Sequence, residues 1–142
     1  MKLFLRLVFT LLPIGLLTIS SCQQEPVIIT NVDLTENIVG SHVGNYVVNY
    51  EASPQNNQSN QITINISKVS NTSIRVDAQG GDSFECTISG SATSLSLSNL
   101  SNTTGVFDYG TYLEGAYANG RVYYKITGNR YGGPFIAEFT AI

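Results

Sequence analysis

A chain of 142 residues and 15.3 kDa, 42% hydrophobic and only 12% charged, has room for one domain of roughly 100–200 residues and enough apolar content to fold it. Its 13 glycines and 4 prolines are too few for a collagen-like or linker composition. The formal net charge of -3 excludes the basic stripe that a nucleic-acid partner requires.

At the N-terminus, Lys2 and Arg6 precede an apolar run from Leu7 to Leu17, the length of a signal-peptide core and short of the roughly 20 residues that a spanning helix needs. Pro13 and Gly15 interrupt that run, and Ile19-Ser20-Ser21 lead straight into Cys22. This tetrapeptide resembles the lipobox of bacterial lipoproteins. The resemblance implies that residues 1–21 are a cleaved lipoprotein signal peptide and that Cys22 is acylated, palmitate-type chains together giving a stable membrane anchor. Gln23 stands where the Gram-negative sorting rule would read Asp as a retention signal. By that likeness the expected address is the outer membrane, with the face left open. An ordinary secretory signal is the alternative, and a Cys22 to Cys86 disulfide then becomes available. Without the leader, five basic residues face ten acidic ones.

Residues 22–42 read as a lipidated N-terminus and tether. Within them, Asp33 and Thr35 as N-caps and Gly40 as a stop outline the single candidate helical turn. From Val43 onward the pattern has period two: Ile62, Ile64 and Ile66 alternate with Thr63, Asn65 and Ser67, so one face is buried and the other wet. Eight strands are expected, over 43–50, 61–68, 73–77, 83–88, 93–98, 111–118, 121–127 and 134–140.

Turn residues fix the expected registers. Asn119-Gly120 is a two-residue hairpin signal that sets Tyr117 against Val122, Gly115 against Tyr124 and Leu113 against Ile126, with Glu114 opposite Lys125 on the other face. A three-residue loop at Gln79-Gly80-Gly81 sets Val76 against Phe84, Ile74 against Cys86, and Arg75 against Glu85. Gly90-Ser91 read as a two-residue turn sets Cys86 against Leu95 and Phe84 against Leu97. The domain, residues 43–142, is therefore expected to be an all-β antiparallel meander of about eight strands. Closure into a small β-barrel is favoured over a β-sandwich, because it leaves no edge strand. Gly44-Asn45-Tyr46, opening the first strand, is similar to the Gly-x-Trp start of lipocalin-like barrels, with Tyr46 in place of the tryptophan; that resemblance implies a lipocalin-like barrel shape.

Chemistry-bearing residues are sparse. Cys86, in phase with Phe84 and Ile88, reads as a core thiol. His42 is the single histidine and reads as an exposed loop residue, too little for a zinc site or a nucleophile–base pair, and no cofactor or metal is expected. No serine sits in a Gly-x-Ser-x-Gly elbow, so the chain is expected not to be an enzyme. Tyrosine is the unusual feature: six of eight fall within 23 residues, from Tyr109 to Tyr131. The registers turn Tyr117 and Tyr124 inward and Tyr112 and Tyr123 outward, the latter with Arg121 nearby. These five are the candidate binding residues. Bulky aromatics on short strands predict a mostly filled interior, with recognition at one barrel mouth or on the outer face near Tyr123 and Arg121. The expectation is an envelope lipoprotein acting as a non-enzymatic binding or interaction module for an envelope protein or a glycan. The alternatives are a carrier of a small apolar ligand inside the barrel and a purely structural protein.

Overall fold

The computed structural model describes residues 32–142; the leader, the lipobox and Cys22 lie outside the described residues. Eight antiparallel strands run in chain order: β1 Gly40–Tyr50, β2 Gln58–Ser70, β3 Ser73–Ala78, β4 Ser83–Ser91, β5 Ser94–Thr104, β6 Gly110–Ala118, β7 Arg121–Arg130 and β8 Gly133–Ala141. Each pairs with the next, and β8 pairs back on β1 from Gly44 opposite Ala141 to Tyr50 opposite Phe135, which closes the sheet into a barrel. Closure satisfies the backbone groups that an open meander would leave exposed at its two edges.

Alternation decides which side chains enter. Inward positions carry Tyr46, Val48 and Tyr50 on β1, Ile64 and Ile66 on β2, Phe84, Cys86 and Ile88 on β4, and Val122, Tyr124 and Ile126 on β7, all of them buried. The interior is full. Tyr124 stacks on Phe139 at 5.4 Å between ring centroids and meets Phe84 edge-on at 5.1 Å. Aromatic pairs at these separations add about 0.5–1.5 kcal/mol each to the burial itself. Eight strands make a lumen just wide enough for such side chains.

Two of the three expected hairpin registers are observed. Tyr117, Gly115 and Leu113 face Val122, Tyr124 and Ile126, and Val76, Ile74 and Arg75 face Phe84, Cys86 and Glu85. The third is different. β4 and β5 turn through Ala92-Thr93, so Gly90 faces Leu95 and Ile88 faces Leu97. Gly90 is spent inside the strand at φ 119, where a β-carbon would collide with the Ser94 carbonyl oxygen. The slip moves each strand by two residues, so the inward set is unchanged. Two further shifts, between Thr87 and Glu85 and between Glu85 and Ser83, place an extra residue on β5 each time, at Asn99 and Asn102 with φ 57 and 46. These bulges bend β5 away from β6, and only Ser94–Leu97 pair with Gly115–Ala118.

The segment ahead of β1 belongs to the barrel, which corrects the expected boundary at residue 43. Residues 33–39 form the single expected turn, with Asp33 as its cap: Thr35 N–H and Oγ1 donate to Asp33 Oδ1 at 2.9 and 2.6 Å, and Thr35 O accepts from Ile38 and Val39. Asp33 also pairs with Lys68 on β2, which with the Thr35 bonds holds its carboxyl down at about 2. Leu34 N–H donates to Asn71 O, and Asn37 Nδ2 to Ala92 O, at two turns of one barrel end, and Ile38 is fully buried there. This turn corks the end at which the described chain enters. His42 lies within β1 rather than in a loop, half-buried, with Nε2–H donating to Ile38 O at 2.8 Å.

Candidate functional site

The other end carries the β1–β2, β3–β4, β5–β6 and β7–β8 connections. Its floor comes from the segment between the two expected strands 93–98 and 111–118. The 3-10 turn Gly105–Tyr109 buries Val106 and Phe107, and Phe107 meets Phe84 at 5.2 Å, Tyr124 at 6.2 Å and Tyr46 at 6.4 Å. Asp82, from the β3–β4 loop, holds this turn down by accepting the Val106 N–H at Oδ1, 2.9 Å away. The apolar pair Val106-Phe107 between Thr104 and Asp108 was the available signal, and it carried no period to mark its direction.

Above that floor lies an open cleft of about 590 Å³. Tyr46, Val48 and Tyr50 of β1 line one wall, and the β1–β2 connection supplies Gln55, Asn56 and Asn57. Asp82 and Asp108 come from two other loops, and Tyr109, Arg130 and Tyr131 form the far rim. Asn57 is itself fixed, its Oδ1 accepting the Tyr50 N–H at 2.7 Å. The volume sits within the roughly 300–1,000 Å³ typical of small-molecule pockets, and the lining is dominated by amides, carboxylates and phenols.

Three features set this mouth apart. The Tyr46 hydroxyl, against the cleft, and the Tyr124 hydroxyl, below it in the core, are buried with no protein partner within hydrogen-bond reach. Burial, and after it the field of Asp82 on Tyr46, push both phenols upward in pKa, so they remain neutral donors. Tyr50 is raised too, by burial first, against the opposing charge of Arg130. The Arg130 guanidinium carbon stands over two rings, 4.6 Å from the Tyr109 centroid and 4.8 Å from that of Tyr131. Finally, Tyr131 has φ 55, left-handed backbone that a bulky residue rarely occupies, and its ring packs on Tyr50 at 5.2 Å.

The five candidate binding residues occupy four different places. Tyr117 and Tyr124 do face inward and Tyr112 and Tyr123 outward, yet Tyr124 is sealed in the centre of the core and Tyr117 lies under the corked end, beside Asn37 and Thr93. Tyr112 lines a side groove of about 540 Å³ where β5 and β6 diverge, with Leu97, Leu100 and Glu114. Tyr123 is on the outer wall of β7, two residues from Arg121 at the hairpin. None of the five lines the mouth cleft. The expectation names a barrel mouth or the outer face near Tyr123 and Arg121; the residues around this cleft come from four connections far apart in sequence, which no pattern along the chain brings together. Among the described residues, no three His, Cys, Asp or Glu side chains converge as a metal site would require.

No family model and no curated protein matches this chain. Among solved structures it is similar to a redesigned beta barrel, at 12% identity and a TM-score of 0.38 over 78% of this chain and 96% of the other. The chain is an all-β, closed eight-stranded antiparallel barrel.

Proposed function

We propose that this protein is a lipid-anchored, non-enzymatic binding module of a Gram-negative outer membrane that takes a polar ligand, a glycan before all else, at its open mouth. The mouth cleft is the observation that carries this reading. It joins a rim of exposed tyrosines, one of them in left-handed backbone, a cation held in place by two rings, and a lining of amides and carboxylates gathered from four connections. Its polar lining suits hydroxyl groups. The aromatic plug beneath it leaves no lumen for an apolar cargo.

Two further observations support the address. The lipobox-like Ile19-Ser20-Ser21-Cys22 supplies the anchor. Among the described residues, exposed aliphatic side chains gather at the corked end, where Val32, Val39, Val43, Val69 and Ile142 lie and where the tether joins the barrel, while Ile136, Tyr109, Tyr112 and Tyr131 are exposed elsewhere. That end suits a lipid surface, and the cleft opens at the opposite one.

The test is a titration of the full chain in detergent with a panel of neutral and acidic envelope glycans, read by amide chemical shifts. Shifts confined to Asn57, Asp82, Tyr109 and Arg130 are expected. A panel that leaves these amides unmoved, or that moves only the Tyr112 groove, overturns the reading.

A further inference from the structure

The chemistry of the ligand can be taken further, on the reading that the cleft is a binding site. Arg130 is the one cation among its lining residues, and among the described residues its guanidinium makes no ion pair. Tyr109 and Tyr131 hold that cation from its faces, and its hydrogen bond to the Tyr50 phenol leaves further N–H donors for a ligand. An arginine fixed in this way is prepared for a planar acceptor, which it meets with two parallel N–H bonds.

Tyr131 shows that the arrangement is kept at a cost. The β7–β8 turn has φ 55 at Tyr131 and 81 at Gly132, and the β6–β7 turn has 52 at Asn119 and 78 at Gly120. Two hairpins of one barrel thus use the same turn, and one of them places a tyrosine where asparagine is the favoured residue. What the tyrosine adds is its ring, set against Arg130 and Tyr50. The rest of the lining selects against a polyanion. Asp82 and Asp108 share the cleft with Arg130, and Asp108 is exposed and forms no ion pair among the described residues. One cation and two carboxylates fit a ligand with a single negative charge and several hydroxyl donors.

We propose that the ligand is an acidic sugar of the uronic-acid class, its carboxylate received by Arg130, its ring lying on Tyr131 and its hydroxyls meeting Asp108 and the Asn57 amide.

The probes are the methyl glycosides of galacturonate, glucuronate and mannuronate, each with one carboxylate, and their methyl esters, which keep every hydroxyl and lose the charge. Titrated calorimetrically into the full chain in detergent, at least one acid is expected to bind about tenfold or more tighter than its ester. Arg130→Gln should bring the acid down to the affinity of the ester. Arg130→Lys, which keeps the charge and loses the fork, should recover part of the preference and guards against a variant that fails to fold. Equal affinity for acid and ester, or a preference that survives Arg130→Gln, overturns the carboxylate assignment while the cleft reading stands. Binding of neutral glycans only does the same, and a cleft that no glycan of either kind perturbs overturns both.

Discussion

Tyr131 and Cys86 mark two opposite ways in which one residue can be conspicuous. The left-handed backbone at Tyr131 costs about 1–2 kcal/mol, and its contacts with Tyr50 and Arg130 return a similar amount. Tyr131→Asn is therefore expected to hold the melting temperature within about 5 °C while weakening ligand binding. A fall as large as that of Phe139→Ala, about 3–5 kcal/mol for a buried ring, would make Tyr131 a packing residue instead. Cys86 has no such ambiguity, because burial pushes its thiol up to about 12 and leaves it 2% exposed. It should resist alkylation in the native chain and react at once in denaturant; fast native labelling would contradict its place in the core. Asp33 is the residue-scale lever on the cork. With its carboxyl held down at about 2, the stability it gives is present above the ordinary value of 3.8 and is lost as pH falls through the window between them. The Ile38 methyl resonances should move in that window, and Asp33→Asn should abolish the movement.

At the scale of elements, the registers were legible where a turn signal and a charge pair agreed. Arg75 faces Glu85 and bridges it at 3.6 Å, as the Gly80-Gly81 loop required. Lys125 also lies opposite Glu114, but its ammonium goes to Glu138 on the neighbouring strand β8 at 3.8 Å. Both carboxylates flank the lysine because β7 lies between β6 and β8, and a hairpin considered alone contains only one of them. A double-mutant cycle between Lys125 and Glu138 should show coupling, below about 1 kcal/mol at this exposure, and exceed the cycle with Glu114. The misassigned β4–β5 turn has an equally local reason. Glycine serves both as a turn residue and as the residue admitted where two backbones nearly touch, and Gly90 is of the second kind. Gly90→Ala is expected to cost about 2 kcal/mol or more in a denaturant titration, since it meets both strain and the Ser94 carbonyl. Gly80→Ala, at φ 110 in open space, meets the strain alone and should cost less.

For the whole molecule, the interior couples stability to alkaline pH. Cys86, Tyr46, Tyr50 and Tyr124 are all raised, chiefly by burial, so the folded chain keeps protons that the unfolded chain releases. Groups raised in this way stabilise below their unfolded values, near 9 for the thiol and 10 for the phenols, and that stability is lost as pH climbs past them. Tyrosinate absorbance from the buried set should therefore appear together with loss of the β-sheet signal, and its appearance in a chain that is still folded would contradict the packing. The cork is testable at the same scale: Ile38→Ala removes a fully buried side chain and should cost about 2–5 kcal/mol.

What the sequence determined by itself is whatever repeats locally. Period-two alternation set which of Ile64, Phe84, Tyr117 and Tyr124 point inward, and the Asn119-Gly120 turn set one register to the residue. Side-chain direction along a strand follows from the backbone alone, so no knowledge of neighbours was needed. Only the tertiary structure decided closure of β8 on β1, the plugging of the two ends by Ile38 and Phe107, and the gathering of Tyr46, Asp82, Tyr109 and Arg130 around one mouth. Those four stand on different strands and loops, separated by up to 84 positions, and nothing in the pattern around any one of them refers to the others. A barrel mouth is assembled from connections, whose residues carry no period, and their proximity is a property of the closed sheet rather than of any stretch of chain.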